Sequence, residues 1–451
     1  MLQGDASELD HLTISGDRVV LPSTFDVTGL AAATVGVATL AASELQSTRG
    51  STPLRPAYTD RREAGAAFVC ERLFEPIDWS VPPLWDPIAG DYRARDGWIR
   101  LHTNYATHRS AVLRALGLDD PERAEVASVV ATWSATELEQ RVVDRGGCAA
   151  VMHTSGAWSA HPHGVIALGE PPVALRDDGT SPPSAALAPA DRPLQGIRVL
   201  DLTRVIAGPV CTRFLAAWGA DVVRIDPPGF AEVPALVPET SAGKRCTFLD
   251  LRGDEGRSTF AGLLARADVV VHGLRPGALE GLGLDRATIR ASNPACVIAA
   301  IDAYGWTGPW SRRRGFDSLV QMSCGIAAAG AAAAGVDQPT PLPAQALDHA
   351  TGFLTAAAVC RALTIRHRVG RIVNVSASLV GAANLLMRHP TPQDLDSRQP
   401  EWTAADTQLR ATHWGAARAV PIPGRIDGLR ALLTIPAGPL GRHDPAFDAM
   451  S

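Results

Sequence analysis

Asp348 is the residue in this sequence best placed to do chemistry. It opens an apolar, Ala-rich stretch, ALDHATGFLTAAAVCRAL, whose spacing predicts a helix from about residue 349 to 367. A carboxylate at that point has two uses. It can cap the helix by accepting backbone N–H bonds. Alternatively, the positive end of the helix keeps it ionised, and an ionised carboxylate can attack a thioester carbonyl. His161 and His163 stand in an HPH triplet with no Cys or carboxylate at ligand spacing, so a loop role is expected and no metal site. The seven cysteines are scattered and form no CxxC, which argues against a disulfide framework or a zinc site and fits a reducing cytoplasm. GxGxxG, P-loop, GxSxG and HExxH motifs are absent.

Composition narrows the classes further. The chain has 451 residues, 46% hydrophobic, with a formal charge of −5. That balance argues against a nucleic-acid protein, which needs a basic face, and against disorder. The length suits two or three domains. The apolar runs 29–42 and 325–336 are shorter than the ~20 residues a membrane span needs and are expected as buried helices, so no membrane partner is expected. The N-terminus is acidic and lacks a signal peptide's basic flank. Lys244 is the single lysine among 41 arginines. GC-rich codon usage explains the 41; Lys244 is the exception.

The elements that must hold Asp348 form an alternating pattern. Apolar runs at 196–202, 221–225, 247–251, 268–272, 296–301 and 371–375 predict strands, with helices at 209–218, 254–266 and 349–367 between them. That alternation implies βαβ units and a parallel sheet, whose ligands bind at the strands' carboxyl ends. Ahead of it, residues 27–47 read as an Ala-rich helix. Residues 92–102 read as a hairpin turning at Asp96-Gly97, and 108–116, 122–133 and 136–144 as helices. The expected division is 1–75 as an N-terminal helical segment, 76–170 as a small α+β domain, 171–192 as a Pro/Ala-rich linker and 193–451 as an α/β large domain. Stretches 30–50 and 351–370 each run from an Ala-rich helix through Arg and Gly into a β-like segment, which suggests a partial duplication.

PLQGIRVLDLTRVIAGPVCTRFLAAWGADVVRIDPPG (193–229) resembles the opening of the family III CoA-transferases, a group that includes formyl-CoA transferase, carnitine CoA-transferase and α-methylacyl-CoA racemase. GKRCTFLDLRGDEGR (243–257), ADVVVHGLRPGALEGLGLD (267–285), AYGWTGPW (303–310), GFDSLVQMSCG (315–325), ALDHATGFLTAAAVCRAL (346–363) and PAGPLGRH (436–443) are similar to further landmarks in the family's order. Residues 86–102 and 131–152 resemble its small domain, displaced to the front of the chain. About 27 residues between Met387 and Trp414 stand in the small domain's usual place. The resemblance implies a Rossmann-like large domain with a rearranged chain order, an interlocked homodimer, and CoA transfer from an acyl-CoA to a carboxylic acid. It implies coenzyme A as the substrate carrier and no metal. It gives Asp348 the nucleophile's role, through an aspartyl anhydride and an aspartyl-CoA thioester. It makes Arg204, Arg224, Lys244 and Arg275 the candidates for CoA's phosphates, with Arg275 foremost because it follows a strand's carboxyl end. Asp317 is expected to cap the helix after it, and His349 to face solvent without a role. The racemase branch carries His where this chain has Phe316, which disfavours racemisation. The glycine-rich loop of many transferases is missing, which leaves an inert CoA-binding subunit as an alternative.

Overall fold

The computed structural model describes residues 4–180, 187–390 and 401–448. Its centre is a seven-stranded sheet. In spatial order the strands are Arg245–Phe248, Asp221–Asp226, Arg198–Leu202, Val269–His272, Val297–Asp302, Arg371–Ser378 and Val173–Thr180. The first six pair in parallel. Numbered along the chain, those six run 3-2-1-4-5-6, the order of a doubly wound nucleotide-binding sheet. The order reverses between Arg198–Leu202 and Val269–His272, so the connections leave those two strands in opposite directions. A crevice opens at their carboxyl ends.

The seventh strand corrects one expectation. Val173–Thr180, placed in a linker from composition, pairs antiparallel with Arg371–Ser378 and closes the sheet's edge. Its neighbouring prolines suggested a linker, but the VALR start supplies alternating apolar contacts. Residues 181–186 of that stretch, and 391–400 of the segment after Met387, lie outside the described residues.

Helices cover both faces, as near-continuous apolar strands require. One face packs Asp254–Leu264 and Arg286–Ser292 through Phe260, Leu263, Leu264 and Ile289. The other carries Ala207–Ala217 and the 24-residue helix Ala346–Val369, which begins two residues before Asp348. Gly352 lets these two helices touch: a Cβ there would sit 2.6 Å from the Ala207 carbonyl oxygen.

Val27–Gly50 is also 24 residues long and lies along Ala346–Val369. Its length and apolarity would suit a bilayer span, yet its sides are buried among other helices. The two stretches compared in the sequence are therefore packed side by side, each followed by a strand, Ala57–Asp60 and Arg371–Ser378. Ala57–Asp60 joins Leu12–Ser15, Arg425–Ile426 and Leu429–Arg430 in a small sheet, so the two ends of the chain are woven together.

Gly90–Arg93, Trp98–Leu101 and Ala149–Val151 form a three-stranded sheet under helices Ala106–Leu116, Arg123–Val130 and Ala135–Asp144. Ile88, Ile99, Val112 and Leu138 fill its separate core. The hairpin turns at Asp96-Gly97, where Ala94 N–H donates to the Gly97 carbonyl. This unit docks over the large sheet's crevice: His153 N–H donates to the Met322 carbonyl, and Tyr105 hydroxyl donates to Glu232 at 2.6 Å.

Candidate active site

A cleft of about 610 Å³ lies at the carboxyl ends of the central strands, where the sheet order reverses. Residues 202–208 and 273–276 form its floor, and Asp302, Phe316, Asp348 and Leu379 line its sides. Tyr105 and His108 close it from the small unit. Another cavity, of about 710 Å³, lies between residues 60–66 and 405–436 and does not include Asp348.

Asp348 is nearly buried, at 7% exposed, and stands in the first turn of its helix. Gln345, not Asp348, occupies the N-cap position. The helix's first N–H groups are satisfied from elsewhere: the Asp317 carboxylate accepts from Leu347 at 2.8 Å and from Asp348 at 2.9 Å. Asp317 thus caps this helix and not its own, which corrects the sequence expectation. Its other oxygen accepts from Gln321. The Asp348 carboxylate accepts no hydrogen bond among the described residues and is left to face the cleft.

The electrostatics reverse a second expectation. Burial pushes the Asp348 carboxyl well above the usual range, and the nearby Asp317 and Glu71 carboxylates push it further. Burial raises Asp317 to about 6, although the bonds from Asp348 N–H, Gln321 and Leu347 N–H pull the other way. The helix dipole does not outweigh these effects. Ionised Asp348 is therefore a poorly solvated carboxylate with free lone pairs, a more reactive nucleophile than a capped one.

His349 is buried, not solvent-facing, and its Nε2 lies 3.2 Å from Glu71. Its ring stacks on Phe68. Glu71 arrives from 278 residues away, so sequence spacing gave no sign of it. Phe316 stacks face to face on His102, centroids 3.7 Å apart and planes 3° from parallel. Burial lowers His102 to about 3 and His108 to about 4, aided for His108 by Arg314 and Arg275, so both imidazoles are neutral at pH 7. His163 is structural: its Nε2 donates to the Tyr304 carbonyl at 2.8 Å and its Nδ1 accepts from Trp310 N–H.

The four candidate CoA contacts divide evenly. Arg275 and Arg204 line the cleft. Arg204 stacks over Phe230 at 4.2 Å and reaches Asp226 at 3.3 Å. Arg224 and Lys244 do not reach it. Arg224 is fully buried between Asp226 and Glu232, at 2.8 and 2.9 Å. Lys244 is fully buried against Asp201 at 2.9 Å and the Pro209 carbonyl at 3.3 Å. A side chain with no exposed surface cannot meet a phosphate entering from solvent, so both expectations are corrected: these cations brace the cleft floor from beneath.

Sequence reasoning named Arg275 but missed the cations around it. Arg275, Arg312 and Arg314 crowd one another, and burial and this mutual repulsion lower Arg275. Arg314 and Arg252 also line the cleft. None of these four has an acidic partner among the described residues. The run RRR at 312–314, just after the TGPW turn, was the signal. Its middle member behaves differently: Arg313 pairs with Glu139 at 2.9 Å and lies over Trp310.

Comparison with known proteins agrees with the resemblance read from the motifs. Residues 194–415 match CoA-transferase family III. The acetyl-coenzyme A transferase nodX of Hypoxylon pulicicidum is 31% identical over 317 residues, covering 65% of this chain and 53% of that protein. The probable fatty acyl-CoA transferase Rv3272 of Mycobacterium tuberculosis is 32% identical over 228 residues, covering 47% and 57%. The formyl-CoA:oxalate CoA-transferase of Rhodopseudomonas palustris is 31% identical over 205 residues, covering 43% and 48%. A crystal structure of Rv3272 aligns with a TM-score of 0.40 over 44% of this chain and 58% of that one. The chain spans about half the length of the curated relatives it matches. Over residues 194–415, the chain is similar to CoA-transferase family III.

Proposed function

We propose that this protein is an acyl-CoA:carboxylate CoA-transferase with Asp348 as its nucleophile. The observation that carries the reading is a nearly buried carboxylate that accepts no hydrogen bond among the described residues, facing the same cleft as arginines that have no acidic partner among them. Asp348 attacks the acyl-CoA thioester carbonyl, forming a mixed anhydride and expelling CoA thiolate. The thiolate attacks the aspartyl carbonyl of the anhydride. The donor leaves as its free carboxylate, and an aspartyl-CoA thioester remains. The acceptor carboxylate attacks that thioester and expels thiolate again. The thiolate then takes the acyl group from the new anhydride, which restores the Asp348 carboxylate. Arg275 and Arg314, with Arg252 and Arg204, would hold CoA's phosphates through charge-assisted bonds. Coenzyme A is thus substrate and carrier, and no step calls for a metal. A homodimer, as the resemblance implies, in the reducing cytoplasm that the scattered cysteines fit, is part of this proposal.

Phe316 favours transfer over racemisation, because a phenyl ring packed on His102 accepts no proton. The test is incubation with acyl-CoA donors and carboxylate acceptors, followed by hydroxylamine trapping and intact-mass measurement. Trapping is expected to modify Asp348; transfer without any adduct at that residue overturns the mechanism.

Attack requires ionised Asp348, whose carboxyl is held high by burial, Asp317 and Glu71. Transfer is therefore expected to rise with pH as the Asp348–Asp317 pair loses its protons. Asp317→Asn removes one like charge, so the midpoint of that rise should move to lower pH in a pH–rate profile. An unmoved or raised midpoint would contradict the assignment.

A further inference from the structure

Asp302 is a carboxylate in the cleft that the transfer steps above do not use. It ends the strand Val297–Asp302, beside Ser378 of the neighbouring strand. One oxygen accepts from Gly305 N–H at 2.8 Å. The other has no partner among the described residues, and the residue lines the same cleft as Asp348. The next residue, Ala303, abuts Gly315, just ahead of Phe316 and Asp317. Glu170 lies on the far side of Gly305, where a Cβ would come within 3.1 Å of its carboxylate.

The cleft therefore has two kinds of charge. Arg275 and Arg314 line it as cations, with Arg312 close behind Arg275, and they are the groups suited to phosphates. Asp302, backed by Glu170, supplies negative charge, with an acceptor oxygen open to whatever lies there. An unsubstituted alkyl chain packed against it would leave that oxygen desolvated and unpaired, which is costly. A chain bearing a donor would satisfy it.

We propose that Asp302 is a specificity residue that selects organic acids carrying a hydrogen-bond donor, hydroxyl or ammonium, a few atoms from the reacting carboxyl. The inference rests on the transferase reading for the identity of the reacting group. The groups facing Asp302 are consistent with it. Burial raises its carboxyl to about 7, the Gly305 N–H lowers it and Glu170 raises it, while Arg176 faces Glu170. A hydroxyl donates to the ionised form, and an ammonium pairs with it.

The test measures affinities of the CoA-loaded protein for butyrate, 3-hydroxybutyrate and 3-aminobutyrate by calorimetry at pH 8, where Asp302 is ionised. At least one substituted acid is expected to bind about tenfold more tightly than butyrate, the scale of one charge-assisted hydrogen bond. Asp302→Ala should bring that ratio to within about twofold. Asp302→Asn separates the two donors, because its amide oxygen still accepts from a hydroxyl but carries no charge for an ammonium. Equal binding of all three acids by the unmodified protein overturns the proposal, as does a preference that survives in Asp302→Ala. Transfer assays with the same acids keep the readings apart: selective binding without transfer sinks the transferase reading and leaves the Asp302 assignment standing. Transfer without selectivity does the reverse.

Discussion

Replacing Asp348 by Ala or Asn is expected to reduce CoA transfer by about 1,000-fold or more, the scale of losing a covalent nucleophile. The two carboxylates that act on it cannot take over. Asp317 is tied to two backbone N–H groups and Gln321, and Glu71 to His349. Folding should respond in the opposite sense. The folded-state carboxyl of Asp348 lies above its unfolded value, so keeping it ionised costs stability. That cost is absent at acid pH, grows as pH rises past the unfolded value, and levels off above the folded one. Asp348→Asn removes it, and the variant should melt no lower than the parent at pH 8. Activity lost together with a lower melting point would make Asp348 a structural residue. Transfer retained in either variant would remove it from the mechanism.

Strands and helices were readable where their periods are clean. DVVRI and DVVVH fall within a residue of Asp221–Asp226 and Val269–His272 because parallel strands buried on both faces leave continuous apolar runs. The Asp96-Gly97 hairpin was readable because its turn chemistry is local. Asp348 was legible from the motif around it, but its environment was not. The residues that set its protonation, Glu71 and Asp317, meet it only through tertiary packing. Arg224 and Lys244 show the same limit. A cation beside a strand looks alike whether it faces a cleft or lies beneath it, and the acids that bury these two, Asp201, Asp226 and Glu232, carry no mark of pairing in sequence.

The same limit explains what the displaced small unit does. Tyr105 and His108 reach the cleft from the front of the chain, while Phe316 and Asp348 come from its second half. His102 and Phe316 stack across that boundary, and the Tyr105–Glu232 bond fixes it from the other side. Chain order is thus no obstacle to assembling the cleft, because the contacts that close it are between surfaces and not between sequence neighbours. Glu232 ties that contact to the cleft floor, since its second oxygen accepts from Val205 N–H and pairs with Arg224. Val205 holds a left-handed φ of 65°, a strained state for a β-branched residue, and this network keeps it there.

Lys244→Met is expected to cost about 3–5 kcal/mol of stability, the range for removing one partner of a buried ion pair. Among the described residues, Lys244 is the only cation that bonds Asp201, and both side chains are fully buried. Burial raises the Asp201 carboxyl. Lys244 and Arg224, with bonds from Thr203 and Thr212, outweigh that and hold it below its usual range. Without Lys244 the Asp201 charge is left largely uncompensated at the carboxyl end of Arg198–Leu202. Asp201→Asn in the Lys244→Met background should recover part of the loss, because it removes that charge while keeping an oxygen for the Thr203 N–H and hydroxyl and an amide N–H that can donate to the Thr212 hydroxyl. Denaturant unfolding of the two singles and the double reads the coupling directly. Lys244→Arg should also destabilise, by about 1–3 kcal/mol, because a guanidinium does not fit a slot shaped for an ammonium between Asp201 and the Pro209 carbonyl. In a chain that uses arginine 41 times and lysine once, that steric demand accounts for the exception. Any loss of CoA affinity in Lys244→Arg should then follow from movement of the Thr203–Gly208 floor. A variant with unchanged stability and weakened CoA binding would return Lys244 to the phosphate site.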